Sequence, residues 1–219
     1  MSVIGLDYTP AYEQGGGIGR YVRELVAALS RVDSVSTYRL FVAGAQAAQL
    51  PPSPGTNFNW NPTRLTPAWL ARLWHRARLP LPVETFTGAV QLYHATDFVL
   101  PPTLPRTHTL LTVHDLSFVR VPETASPALK AYLDRVVPRS VRRADHILAD
   151  SQATKNDLIA LYDTPADKIT VLLSGVDAHF QPVLDTTVLL TTRTRYSISS
   201  APYIFSVGTV QPRKNYSRL

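Results

Sequence analysis

The chain has 219 residues, of which 45% are hydrophobic and 17% charged, with a net charge of +6 and a pI of about 9.7. These proportions are typical of a globular protein and exclude an intrinsically disordered chain. There is no cysteine, which excludes disulfides, thiolate metal sites and a thiol nucleophile. No apolar run approaches the roughly 18 residues that span a bilayer, and no signal-peptide pattern is visible, so we expect a cytoplasmic protein.

Short apolar runs alternate with segments of helical periodicity along the chain. We predict strands at residues 3–6, 38–43, 90–94, 109–114, 146–149, 168–173 and 203–207. Predicted helices follow the glycine loop 15–19, cover residues 65–79, and begin at the capping residues Ser126 and Ser151. Because the strands are apolar throughout, they predict a Rossmann-like α/β fold with a doubly wound parallel sheet. Ligands in such sheets bind beyond the carboxyl ends of the strands.

The final predicted strand leads into a glycine turn and two adjacent cations, Arg213 and Lys214. This order is how an α/β domain opens at an anion site. We therefore predict a Rossmann-like domain over residues 1–200 and the beginning of a second, truncated domain over residues 201–219. The threonine-rich residues 185–200 are the expected linker, and an exposed basic loop is the alternative interpretation of the two cations.

Three successive glycines, Gly15, Gly16 and Gly17, precede the first long helix. Glycines there let backbone N–H groups approach an anion closely. The dinucleotide pattern fails because Arg20 stands at its last glycine position, and the P-loop pattern fails for want of Gly-Lys-Ser/Thr. The sequence therefore favours an anion site that is not an NAD site, with a tight turn without a ligand as the alternative.

His114 and Asp115 directly follow a predicted strand, at the edge where ligands bind. An imidazole there can donate to a sugar hydroxyl or a phosphate, and Asp115 can orient it or accept from an acceptor hydroxyl. The alternative is a packed histidine beside a capping aspartate. The six histidines show no metal-ligand spacing, so we predict no metal site.

The basic excess is concentrated in part of the chain, because residues 34–83 include no acidic residue. Positive charge favours phosphates, anionic lipid or nucleic acid, but no compact basic run or nucleic-acid motif occurs, so we expect no nucleic-acid partner. The helix around Trp69 and Trp74 has an arginine-rich opposite face, as in helices that lie in a membrane interface. An ordinary helix that covers the sheet explains the same pattern and is the interpretation we favour.

Five motifs together resemble the amino-terminal half of a family 4 glycosyltransferase of the GT-B, group 1 type. The motifs are residues 15–21 (Gly-Gly-Gly-Ile-Gly-Arg-Tyr), 113–116 (Val-His-Asp-Leu), 150–158, 174–177 (Ser-Gly-Val-Asp) and 207–215. Their versions are most similar to mannosyltransferase-like members that build bacterial cell-surface polysaccharides. No single motif is specific, but all five occur in register along the whole chain.

The resemblance implies retaining transfer of a hexose such as mannose from a nucleotide-diphosphate sugar to a glycan or polyprenyl-linked acceptor, without a metal or another cofactor. It implies that amides near Gly16 and Gly17 approach the donor phosphates, that His114 contacts the donor sugar, and that Lys214 neutralises the leaving diphosphate. Arg213 is the candidate replacement for an arginine that the family often has where Thr209 stands here.

The resemblance also sets limits on this chain. The family's Glu-x7-Glu motif and nucleotide pocket belong to a second domain that these residues do not include, so we expect the chain alone to be inactive. Its amino-terminal domain is expected to face the acceptor and to contact the inner membrane face peripherally. Two alternatives stay open: a sugar-nucleotide epimerase of the same fold, and a non-catalytic module that binds a sugar or nucleotide.

Overall fold

A computed structural model describes residues 1–199, 201–208 and 210–218, without the side chain of Arg213. The chain forms two compact units, Met1–Leu173 and Ser174–Leu219. The predicted division into domains at residues 1–200 and 201–219 stays a prediction.

The first unit is built on one seven-stranded sheet. Its strands are β1 (Val3–Asp7), β2 (Thr37–Ala43), β3 (Phe58–Thr63), β4 (Leu92–Ala95), β5 (His108–Val113), β6 (His146–Ala149) and β7 (Ile169–Val171). They lie in the order β3-β2-β1-β4-β5-β6-β7, and every neighbouring pair is parallel. This topology confirms the predicted doubly wound parallel sheet, and the winding reverses between β1 and β4.

Helices connect the strands. They are α1 (Thr9–Glu13), α2 (Gly17–Val32), α3 (Pro67–Ala71), α4 (Glu84–Thr87), α5 (Ser117–Arg120), α6 (Pro127–Arg143), α7 (Gln152–Tyr162) and, in the second unit, α8 (Thr186–Arg195). A π-helical turn, Arg72–Arg76, continues α3. Short 3-10 turns occupy Ala47–Gln49, Pro122–Thr124, Ala166–Lys168, Pro212–Lys214 and Tyr216–Arg218.

The predicted serine caps begin two of these helices. The Ser126 hydroxyl accepts from the Leu129 N–H at the start of α6, and the Ser151 hydroxyl accepts from the Thr154 N–H at the start of α7. Each cap satisfies one of the amides that a helix leaves without an internal partner, which is worth about 1 kcal/mol. α7 directly follows β6, so its cap also fixes where the chain turns away from the carboxyl edge of the sheet.

The sheet is covered on both faces. Leu40 and Phe41 are neighbours on β2, yet Leu40 packs with Val22 of α2 whereas Phe41 packs in a second cluster with Val137 of α6. Successive side chains of a strand point to opposite faces, so an entirely apolar strand fits only between two layers. Burial of each such side chain stabilises the fold by roughly 1.5–3 kcal/mol.

Two predicted elements differ from the structure. The predicted strand 203–207 is wrong: these residues are exposed and pair with no strand in the described part of the chain, so their backbone lacks the ladder that defines a strand. The expected linker 185–200 includes α8, whose first amides donate to the Asp185 carboxylate. Strand β3 was not predicted, because its sequence, Phe-Asn-Trp-Asn-Pro-Thr, is polar and includes a proline, as edge strands tolerate.

The tryptophan-bearing helix lies against the sheet. Leu70 is only 2% exposed, and Trp74 packs on Phe41 and Phe86 while its indole N–H donates to the Leu81 carbonyl. These contacts are those of a helix that covers a sheet, the interpretation favoured from the sequence. Trp69 instead stays 54% exposed.

Candidate functional site

Polar side chains gather where four neighbouring strands end. β1 ends at Asp7, and the chain leaves β4, β5 and β6 through Asp97, His114 and Asp150. Since these four strands are adjacent in the sheet, their carboxyl ends lie side by side. The group spans the point between β1 and β4 at which the winding reverses, where open α/β sheets bind ligands.

Strand register brings His114 to its partner. Val113 pairs with Ala149, so the residues that follow them, His114 and Asp150, leave the sheet side by side. The His114 Nδ1 lies 2.6 Å from a carboxylate oxygen of Asp150, and its Nε2 lies 2.9 Å from the Thr96 carbonyl oxygen. Both neighbours accept hydrogen bonds, so the imidazolium, with a proton on each nitrogen, is the form that this geometry fits.

The surroundings of His114 favour its charged form. Burial alone lowers the pKa of His114, but the hydrogen bond and charge of Asp150, the charge of Asp97 and the Thr96 carbonyl together raise it above its ordinary value. The neighbouring His94 on β4 has no such carboxylate, so burial, assisted by the charge of His114, lowers its pKa to about 4. The surroundings therefore favour the charged form of His114, whereas His94 is neutral near pH 7.

Aromatic rings fix the plane of the His114 imidazole. Tyr21 of α2 and Phe98 meet it edge-on, with centroids 5.2 and 5.5 Å away. The Tyr21 hydroxyl also lies 3.4 Å from the Thr112 hydroxyl on β5. The first long helix thus contacts the histidine directly, and two aromatic rings pack against the imidazole.

These contacts bear on the predicted roles of the His-Asp pair. Both N–H groups of His114 donate within the protein, so a donor sugar would have to replace the Thr96 carbonyl to receive one. The Asp115 carboxylate accepts from the N–H of Ser117, the first residue of the short helix α5, at 2.8 Å. The catalytic roles of His114 and Asp115 stay predictions.

The glycine loop leaves the start of α2 open. Gly16 is the residue before the helix, and no side chain caps the first amides. A methyl group built on Gly15, Gly16 or Gly17 would meet nothing within 4 Å. Uncapped amides with the positive end of the helix dipole attract anions, and without side chains an anion can reach the backbone.

Gly19, two residues further on, is required for packing instead. A methyl group there would lie 2.8 Å from the Pro10 carbonyl oxygen and closer still to that of Gln14. Arg23, which belongs to the same helix as Gly19, donates from its guanidinium to the carbonyls of Ala11 and Gln14. The chain segment before the loop is therefore clamped against α2, which fixes the open amides relative to β1.

A cavity of about 160 Å³, which we name the carboxylate cavity, opens beside this edge. Three carboxylates (Asp7, Glu13 and Asp97) and two aromatic residues (Trp74 and Tyr132) are among its lining residues. Paired carboxylates accept hydrogen bonds from hydroxyl groups, and aromatic faces pack against the C–H face of a sugar ring.

Burial perturbs these carboxylates. It raises the pKa of Asp7 to about 6, against opposing hydrogen bonds from Thr9, and the charges of Asp97 and Glu13 add to the rise. Burial also raises the pKa of Asp97, which receives a hydrogen bond from the Gln14 amide on one oxygen. The other oxygen, Oδ1, is buried with no partner among the described residues. Such an atom is expensive unless a ligand or water donates to it.

The remaining predicted residues belong to the second unit. Lys214 is exposed and closes the 3-10 turn Pro212–Lys214. Thr209 and the side chain of Arg213 lie outside the described residues. It therefore stays a prediction that Arg213 replaces the arginine that the family often has at the position of Thr209. The first unit thus brings His114, Asp115 and the glycine loop to one edge of its sheet, whereas the predicted cations are part of a separate unit.

No role was predicted from the sequence for Asp7, Asp97 or Asp150. Each follows or ends a strand that was predicted, as His114 does, so the same end-of-strand argument would have found them. The pairing of His114 with Asp150 additionally needs the register of β5 on β6, which a single sequence does not provide.

Comparisons with known proteins identify the chain's relatives. The family model named Glycosyltransferase Family 4 matches residues 15–180, about three quarters of the chain. The chain belongs to Glycosyltransferase Family 4. The matched segment includes the glycine loop, His114 and Asp150, whereas Asp7 and Glu13 of the carboxylate cavity precede it. The resemblance stated from the sequence is confirmed.

Two similar proteins extend the comparison. The O-antigen chain mannosyltransferase B of Escherichia coli is 28% identical over 211 residues, which are 91% of this chain and 54% of that protein. The crystal structure of a glycosyltransferase from Rickettsia africae matches with a TM-score of 0.50 and 16% identity, over 91% of this chain and 50% of that one. This chain therefore spans about half the length of each. The likeness confirms the predicted Rossmann-like, GT-B-type fold.

Within the described residues, no helix has both the length and the apolarity needed to cross a membrane.

Proposed function

We propose that the whole protein is a retaining hexosyltransferase that moves a hexose such as mannose from a nucleotide-diphosphate sugar to a glycan or lipid-linked acceptor. The process would be the synthesis of a cell-surface polysaccharide or glycolipid. One observation carries the proposal: in a Family 4 chain, the open amides of α2 and the imidazolium of His114 adjoin the same sheet edge. Both are positive, and both belong to the topological switch point.

The donor's diphosphate would bind at the glycine loop. Amides near Gly16 and Gly17 would donate to its oxygens, while Lys214, and Arg213 beside it, would neutralise the charge that develops as the diphosphate leaves. His114 would add a fixed positive charge. Its Nε2–H would donate to a hydroxyl of the donor sugar in place of the Thr96 carbonyl oxygen. No metal or further cofactor is assigned to the reaction, and the residues 1–219 alone are proposed to be inactive.

The acceptor side would use the first unit. Exposed Trp69, with the Arg72 guanidinium stacked 4.9 Å above its ring, suits the water–lipid boundary, where an amphipathic ring and a basic group both find partners. Peripheral contact with the inner membrane face would bring the enzyme to a polyprenyl-linked acceptor. The name of the Escherichia coli relative, which refers to O-antigen chains, agrees with a cell-surface glycan.

The test is a transfer assay on the protein expressed from its complete reading frame. A panel of radiolabelled nucleotide sugars, incubated with membrane and glycan acceptors, should reveal one hexose donor that labels the acceptor. Release of the nucleotide diphosphate should depend on the acceptor, with unchanged rates in EDTA. Donor conversion without any acceptor would instead indicate the epimerase, and donor binding without conversion would indicate the non-catalytic module.

A variant pair checks the assigned site in the same assay. His114→Asn removes the charge but can still donate one hydrogen bond, so turnover should fall at least tenfold while the fold persists. His146→Asn is the matched control, because His146 lies at the opposite, amino end of β6 and bonds only the Thr170 hydroxyl among the described residues. Equal activities of the two variants would remove His114 from the site.

A further inference from the structure

A second cavity lies between the π-helical turn Arg72–Arg76 and α6. It has a volume of about 400 Å³, and we name it the arginine groove. Arg72 and Arg76 line it from the π-helical turn and Arg135 from α6, and Tyr132 and His75 are also in the lining. The groove is large enough for a diphosphate together with part of the group that bears it.

No described carboxylate neutralises the charges of the arginine groove. Its lining includes no carboxylate among the described residues. Arg76 and Arg135 form no ion pair within the described part of the chain, and the carboxylate next to Arg135, Asp134, is bonded to Lys130 at 2.5 Å. Several close cations without counter-ions repel one another, so an anion that enters the groove relieves that repulsion.

The pKa of His75 is lowered partly by positive charges on α6. Burial lowers the pKa of His75 to about 4, and the charges of Arg143 and Arg139 on α6 contribute to the fall. The side chain is therefore neutral near pH 7, and the charge of the groove comes from its arginines. Because His75 lines the groove between Arg72 and Arg76 in the chain, an anion bound there would raise its pKa.

The groove also adjoins the carboxylate cavity. Ala71, His75 and Tyr132 line both the arginine groove and the carboxylate cavity. The cavity in turn includes Asp97, whose charge acts on His114. A single ligand can therefore place an anionic group among the arginines and hydroxyl groups among the carboxylates.

We propose that the arginine groove binds a phosphate group of the second substrate, whose sugar hydroxyls reach the adjoining carboxylate cavity. The inference rests on the proposed function, since a nucleotide-sugar donor has one diphosphate and that is assigned to the glycine loop. A second, separate cationic site then fits the other substrate. Arginine suits the task because its planar fork binds phosphate oxygens in pairs. The acceptor class is accordingly a glycosyl phosphate or diphosphate ester.

Binding of inorganic diphosphate to the 219-residue chain tests the groove without catalysis. Titration calorimetry at low salt should show a binding component that Arg76→Gln/Arg135→Gln weakens at least tenfold, separate from any binding at the glycine loop, which both double variants retain. Arg31→Gln/Arg106→Gln is the matched control, because it removes the same charge at exposed positions outside the groove and should change affinity less than twofold. Equal losses in the two double variants would overturn the proposal, since only net charge would then matter.

A histidine titration locates the ligand. NMR of the chain with and without diphosphate should show the pKa of His75 rising when the anion binds, with His146 unaffected. Circular dichroism of the groove variant establishes that it is folded before its binding is judged. An unmoved His75 in the presence of bound diphosphate would place the ligand elsewhere and contradict the proposal.

Vesicles distinguish two sources of the phosphate. Phosphatidylcholine vesicles with and without 30 mol% phosphatidylglycerol are sedimented with each variant. If the groove variant loses both vesicle binding and diphosphate binding, the phosphate is that of a lipid at the membrane. Loss of diphosphate binding alone would assign it to a phosphate ester away from the bilayer.

The full-frame transfer assay separates this inference from the proposed function. The groove variant should raise KM for a phosphorylated acceptor and leave KM for the donor unchanged. If the groove variant uses a phosphorylated acceptor as well as the wild type does, the groove proposal fails and the transferase stands. If no nucleotide sugar is used at all, the transferase fails, whereas diphosphate binding at the groove is still decided by calorimetry.

Discussion

Gly19→Ala should destabilise the first unit, because α2 approaches the segment before the glycine loop without room for a methyl group. The new Cβ would lie 2.8 Å from the Pro10 carbonyl oxygen and nearer to that of Gln14. Carbon–oxygen contacts below about 3.0 Å essentially never occur, and these are backbone atoms that cannot rotate aside. The helix must therefore move away from α1.

The magnitude follows from two opposing terms. Overpacking of this kind costs about 1–3 kcal/mol and occasionally more, whereas alanine in a helix gains up to about 1 kcal/mol over glycine. With a contact against two carbonyls, we expect a net loss of about 2 kcal/mol. In a unit of 173 residues that corresponds to a fall in Tm of roughly 4–8 °C.

Gly17→Ala is the matched variant in the same helix. It introduces the same methyl group into open space, so its unfolding free energy should stay within about 1 kcal/mol of the wild type. Urea denaturation followed by circular dichroism compares the three chains. If Gly19→Ala proves as stable as Gly17→Ala, the close approach of α1 and α2 does not exist as described. In the full-frame protein, Gly17→Ala should instead raise KM for the donor, because its methyl group keeps phosphate from the amides.

Three further predictions concern the site and the core. Asp7→Asn should stabilise the fold at pH 7 by on the order of 2–3 kcal/mol, because a pKa of about 6, against an ordinary value of 3.8, makes ionised Asp7 costly in the folded state. Urea denaturation should show this gain in stability vanishing toward pH 4. An equal gain at pH 4 and pH 7 would refute ionisation of Asp7 as its cause. Asp150→Asn should lower the pKa of His114, which NMR titration measures. In the wild type the raised pKa stabilises the fold at low pH, and this stabilisation is lost as pH rises through the folded-state pKa, so the variant should lack it. An unchanged pKa of His114 would show that Asp150 does not stabilise its protonated form. Leu158→Ala, at a fully buried position of α7, should cost about 2–5 kcal/mol in urea denaturation, and a cost below 1 kcal/mol would contradict its place in the core.

Most of the sheet could be predicted because its central strands have an unambiguous pattern. Buried strands are continuous apolar runs, and that pattern located six of the seven strands. The edge strand β3 has too few apolar residues to be recognised. Residues 203–207 show the opposite case, since their apolar run would form a strand only beside a partner strand, and none of the described residues pairs with them.

The site was predictable to the extent that it depends on strand ends. His114 and Asp115 were located because polar residues after a buried strand face the ligand edge. The Asp150 partner and the unpartnered oxygen of Asp97 depend on register and packing, which arise only when distant segments meet. The difference between Gly17, which is open, and Gly19, which is required for packing, is likewise a property of the assembled fold.

The most direct test of the account is the anomeric configuration of the product made by the full-frame protein. After incubation with the hexose donor that the panel identifies, ¹H NMR of the glycosylated acceptor reports the configuration of the new bond. We predict the configuration that the sugar has in the donor, and transfer that depends on His114. An inverted product, or transfer that His114→Asn leaves unchanged, would contradict the retaining mechanism and the site assigned to it.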